Sequence, residues 1–126
     1  MEVSETFEPL VGHAVVRFQG RVKLEEAVQL VNRTILRAGN EQIPRLLINA
    51  TGLDGFGSPT LADRYFIVRE WAKLAAGRVR IAMVVKEHMI DPGRFGVLVA
   101  RNAGLEANVF GTEPEALEWL LAGDKD

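Results

Sequence analysis

The sequence predicts an α/β domain. An N-terminal β-hairpin is followed by successive strand–helix units, giving a mixed, mostly parallel sheet with helices mainly on one face. Three observations lead there. Short runs with apolar residues at every second position take turns with longer runs whose apolar residues recur at spacings of three and four. Strands alternating with helices pair in parallel through right-handed crossovers. The strands also carry one fully apolar face and one mixed face, so a single helical layer covers most of the molecule. No linker, low-complexity tract or repeat divides the 126 residues, which form one domain over 1–126. A chain of this length buries roughly two-thirds of the surface that its unfolded form exposes.

Residues 3–7 are a weak strand. Pro9 and Gly12 mark a turn into a second strand at 14–19, and so short a connection makes the two an antiparallel hairpin. Leu24, Ala27, Val28, Val31, Ile35 and Ala38 stripe a helix over 24–38, with Lys23 at its cap and Gly39-Asn40 as its stop. Residues 46–48 form a short buried strand, followed by a glycine-rich loop over 50–57. Ser58 and Pro59 then fit the cap and first position of a long helix. Leu61, Tyr65, Val68, Ala72 and Ala75 form its stripe, widened by Ile67, Trp71 and Leu74. Residues 79–85 are the strongest strand. A third helix runs from Asp91 to Gly104, a last strand covers 107–110, and Thr112 with Glu115 makes a capping box for a final helix. Residues 123–126 are expected to fray.

Composition removes many chemistries. There is no cysteine, hence no disulfide, thiolate metal site or Cys nucleophile. Two histidines leave little for a metal, so no metal and no cofactor is expected. A net charge of −2 argues against nucleic-acid binding. The acidic, polar start is not a signal peptide, and no apolar run approaches the ~20 residues of a membrane span. The chain is read as cytoplasmic.

Charge is unevenly placed. Residues 57–105 hold Arg64, Arg69, Lys73, Arg78, Arg80, Lys86, Arg94 and Arg101 against Asp63, Glu70, Glu87 and Asp91. This reads either as solvated helix faces or as a basic surface for an acidic partner or anion. The candidate site is the C-terminal edge of the sheet, where the loops after parallel strands meet. Asp54, Phe56, Ser58, Thr60, Met89 and Arg94 fall there. Ser58 and Thr60 at a helix N-terminus suit an anion, although a plain cap is the better account of Ser58. The glycines 52, 55 and 57 lack the P-loop lysine and the dinucleotide spacing. His13 and His88 have no triad partner legible in the sequence. Asp54, Glu87 and Asp91 share the edge without a nucleophile, so no enzyme is expected. Trp119 falls off its helix stripe and marks a contact surface.

The segments GRVKLEEAVQLV, LLINATGL, GFGSPTLADRY and GLEANVFGTEPEALEWL together resemble the STAS/SpoIIAA-like family of anti-sigma-factor-antagonist type domains. The likeness runs from about Ala14 to Leu121 and rests on element order and a loose pattern. It implies the same hairpin followed by strand–helix units wound in one direction. Phosphoswitch members carry Asp-Ser-Ser-Gly-Leu at the start of the helix after the third strand. Here that stretch is Gly57-Ser58-Pro59-Thr60-Leu61, with Ser58 on the first serine and Pro59 on the usual phosphoacceptor. Ser58 is therefore the candidate for phosphorylation.

The leading reading is a non-enzymatic regulatory or protein-interaction domain with a protein partner or a homodimer. The alternative is a module for a small apolar or anionic ligand at the same edge, with Phe56, Met89, Ile90 and Phe95 as walls and Arg94 as the charge. Val15, Ala82, Val84 and Phe110 on the mixed face demand a cover, either a second copy or a helix folded over them.

Overall fold

Five strands lie side by side in sequence order, β1-β2-β3-β4-β5. They are β1 (Val3–Leu10), β2 (His13–Arg21), β3 (Arg45–Asp54), β4 (Arg80–Val84) and β5 (Ala107–Phe110). The hairpin β1–β2 is antiparallel, and every later pairing is parallel. The helices between them are α1 (Leu24–Asn40), α2 (Leu61–Ala75) and α3 (Phe95–Asn102), with α4 (Glu113–Leu121) last. The coordinates are a computed structural model and describe residues 3–122. The expected frayed tail lies outside these residues.

Crossovers of one hand that always step the same way across a sheet must leave their helices on one side. That is the arrangement here. Ala14, Val16, Phe18, Leu46, Ile48, Ile81 and Met83 point from the sheet into a core shared with α1, α2 and α3. The opposite positions Val15, Leu47, Ala82 and Val84 pack under Ala116 and Leu120 of α4. The mixed face is thus covered by a helix of the same chain. The side chains facing α4 are fewer and smaller, which is why the sequence shows this face as mixed.

Several boundaries differ from the sequence expectation: β1 runs on through Pro9, which pairs with Ala14, and three further shifts bear on the site. β3 extends to Asp54 and absorbs half of the expected glycine-rich loop. Its extension pairs with β2 after a register shift between Arg17 and Gln19. Gly52 is required there, since a Cβ would stand 2.4 Å from the Phe18 carbonyl. α2 begins at Leu61, and its cap is Thr60 rather than Ser58; Pro59 is not its first position. Thr60 and Asp63 exchange backbone-to-side-chain hydrogen bonds of 3.0 and 3.2 Å, a complete reciprocal box. α3 begins at Phe95, not Asp91, after a short 3-10 turn over Glu87–Met89. Asp91 still serves it, because its carboxylate accepts the Phe95 N–H at 2.9 Å.

The final helix also departs in detail. Thr112 is at the cap, but its hydroxyl donates to Glu115 at 3.1 Å instead of accepting a backbone N–H. Glu113 anchors this end of the helix through Arg17 of β2, with N–O distances of 2.8 and 2.9 Å. Asn49 of β3 donates to the same carboxylate at 2.6 Å. The other end is held by Arg80, which donates to the Trp119 carbonyl at 2.8 Å and stacks on its ring at 4.0 Å.

Candidate functional site

α2 packs most closely on α1 and α3, and Val68 and Ala75 carry it into the core shared with the sheet. Of its predicted stripe only Val68 and Ala75 are buried, while Leu61 and Tyr65 are exposed. The helix therefore bridges its neighbours and leaves room beneath. The space is a cavity of about 170 Å³, lined by Val28 and Val31 of α1, Ile67 and Trp71 of α2, and Met83 and Val85 from the sheet, among others. Its wall is almost wholly apolar. The polar exceptions are Arg64, Asp91, Arg94 and Asn108.

The six residues expected at the site divide into two groups. Phe56, Met89 and Arg94 line the cavity. Asp54, Ser58 and Thr60 do not. Asp54 is exposed, and its carboxylate lies 3.8 Å from Arg21. Ser58 donates to the His88 carbonyl at 3.4 Å and links the loop before α2 to the 3-10 turn. Thr60 is occupied as the α2 cap. Lys86 fastens the same edge from the other side, donating to the Leu53 carbonyl at 2.9 Å. Of the expected apolar walls, Ile90 lines the cavity and Phe95 does not.

Arg94 occupies a strained backbone position. It caps α3 with φ 52° and ψ 46°, in the left-handed region. For a residue with a side chain this costs about 1–2 kcal/mol. Its guanidinium donates to Asn108 Oδ1 at 2.8 Å and to the Val109 carbonyl at 3.0 Å. Neither acceptor is charged. Arg64 is alike: its Nε donates to the Pro59 carbonyl at 3.1 Å, and no carboxylate meets it among the described residues. Trp71 adds a buried indole N–H with no acceptor.

Arg64 and Trp71 were missed as site residues for a physical reason. A basic residue on a helix reads as solvated, and an aromatic on an apolar stripe reads as core. The placing of α2 against α1 and α3 makes them wall residues, and nothing local in the sequence encodes that placing.

Arg94 also borders an open groove of about 490 Å³ on the α4 side, shared with Glu87, Glu115, Glu118 and Trp119. Trp119 is half-buried there and touches Phe110 at 5.9 Å between ring centres. The three edge carboxylates do not converge. Asp54 faces Arg21, Glu87 lines the outer groove and Asp91 the inner cavity. Among the described residues no cluster of His, Asp and Glu could hold a metal ion, and no helix is long and apolar enough to cross a membrane.

No protein-family model matches the sequence, and no curated protein matches it. Solved structures do. An anti-sigma factor antagonist from Mycobacterium paratuberculosis superposes with a TM-score of 0.61 at 17% identity, covering 94% of each chain. A protein of the DUF3478 family with a SpoIIAA-like fold, from Shewanella loihica PV-4, aligns with a TM-score of 0.49 at 20% identity, over 94% of this chain and 93% of that one. The chain has the STAS/SpoIIAA-like fold that its motifs imply.

Proposed function

We propose that this chain is a non-enzymatic regulatory domain that works by docking a protein partner on the outer face of α2. The observation that carries this reading is the exposed apolar surface there. Phe66 is 70% exposed and Leu61 54%, and Leu98 of the adjoining α3 is 49% exposed. Phe66 and Tyr65 stack edge to face at 5.2 Å, so they present one joined aromatic surface. Single exposed apolar residues are ordinary, but a joined group marks a contact site. Arg69 lies over the Tyr65 ring at 5.6 Å and donates to its hydroxyl at 3.3 Å. A positive charge at its edge favours an acidic group on the partner. The fold shared with a protein named an anti-sigma factor antagonist supports a regulatory role.

A photo-crosslinking amino acid at position 66 tests it in cells that express the protein. One partner should crosslink from 66 and from 98, and not from the exposed Leu36 on α1. The same background from all three positions would refute the reading.

The cavity supports a second reading, a small-ligand module whose ligand sits under α2. The two are compatible in one domain, because α2 is the roof of the cavity and its outer face is the docking surface.

A further inference from the structure

We infer that the cavity under α2 takes a small amphipathic anion, with its tail among the apolar walls and its head group at Arg64 and Arg94. The inference rests on the small-ligand reading above and adds the chemical class of the ligand.

Size limits the tail. An apolar cavity of about 150 Å³ stays dry and accepts a benzene-sized guest. The 170 Å³ here therefore suits a single ring or a chain of about six to eight carbons. A long acyl chain does not fit without α2 moving away. Wall chemistry points the same way, since Val28, Val31, Ile67, Met83 and Val85 offer a tail only dispersion contacts.

Charge selects the head. Two of the polar wall residues are arginines with no carboxylate partner. The one acid in the wall, Asp91, has its carboxylate engaged by the Phe95 N–H. Arg64 comes from α2 and Arg94 from the turn before α3, so a head group held by both ties roof to wall. Each guanidinium donates to neutral carbonyl oxygens and keeps further N–H groups for an anion. The left-handed backbone of Arg94 fits this account, because strain of that kind persists where a side chain must be held in place.

Tryptophan fluorescence reads it directly. The chain has two tryptophans, and Trp119→Phe leaves Trp71 in the cavity wall as the only reporter. Octanoate, octyl phosphate, octanol and octylamine are titrated into this variant. Octanoate or octyl phosphate should shift Trp71 emission saturably and bind about tenfold tighter than octanol, the range of a charge-assisted hydrogen bond. Whichever of the two binds tighter identifies the head group. The double variant Arg64→Gln, Arg94→Gln, first shown folded by its melting curve, should lose that tenfold advantage and keep its octanol affinity. Gly96→Leu, where a new Cβ has ordinary 3.6 Å clearance to Val68, should fill the space and abolish binding of all four. Octanol or octylamine binding as well as the anions would overturn the anionic head group and leave the cavity reading standing. No saturable shift with any of the four would overturn both.

Discussion

Arg17 holds the start of α4 to the sheet through two parallel hydrogen bonds to Glu113, and this pair governs one part of the response to acid. The Glu113 carboxyl lies below the usual carboxylate range, chiefly through the Arg17 hydrogen bond and further through Asn49, against an opposing contribution from burial. Arg17 is raised in turn, mainly by the same hydrogen bond. A carboxylate with a depressed folded value stabilises the fold above its unfolded value of about 4.3, and that contribution is lost as pH falls through the folded value. The side chain of Arg17 is 46% exposed, so solvent screens the pair. Glu113→Gln should cost roughly 1 kcal/mol at pH 7, a few degrees in melting temperature. The gap from the parent protein should narrow as both are melted at pH values falling below that unfolded value. Lys23 is a second residue with a readable consequence. It caps α1, and Glu26 accepts its backbone N–H at 2.8 Å, but a lysine side chain offers no acceptor in return. Lys23→Thr should complete the box and gain about 0.5–1 kcal/mol, seen as a higher melting temperature.

Element boundaries show where local signals compete. Ser58-Pro59 and Thr60…Asp63 are both good helix starts, and the sequence carries them two residues apart. The second prevails because Thr60 and Asp63 cap each other while Ser58 is engaged outside the helix by the His88 carbonyl. Thr60→Ala should therefore cost about 1 kcal/mol and Ser58→Ala less than about 0.5 kcal/mol in thermal melts. A reversed order would mean that α2 starts earlier in solution. The elements themselves, their order and the placing of most helices on one face were all legible, because apolar periodicity survives loop details. The site was legible in part. Phe56, Met89 and Arg94 follow from the rule that loops meet at the C-terminal edge of parallel strands. The cavity behind them was not legible, since it depends on how α2 is set against α1 and α3.

At the scale of the whole molecule, α4 decides whether the back of the sheet is a core or a liability. Leu120 is fully buried against a layer that includes Val15, Leu47, Ala82 and Val84. Leu120→Ala should cost about 2–5 kcal/mol in denaturant unfolding, the usual range for emptying a buried leucine site. If α4 loosens as a unit, the variant should also bind a hydrophobic dye before the main transition. An unchanged midpoint would show that α4 is a detachable cover and not part of the cooperative unit.

The neighbour-by-neighbour strand order has a consequence for how the chain is made. Each new strand joins the edge that the previous one has just formed, so contacts within the sheet stay short in sequence and assembly proceeds as the polypeptide emerges from the ribosome. The contacts of α4 are the long-range ones, as in the clasp between Arg17 and Glu113, 96 residues apart. Until the last helix is synthesised, the nascent sheet displays Leu47, Ala82 and Val84 with nothing from its own chain to shield them. That interval is when the back of the sheet is most open to pairing with other apolar surfaces.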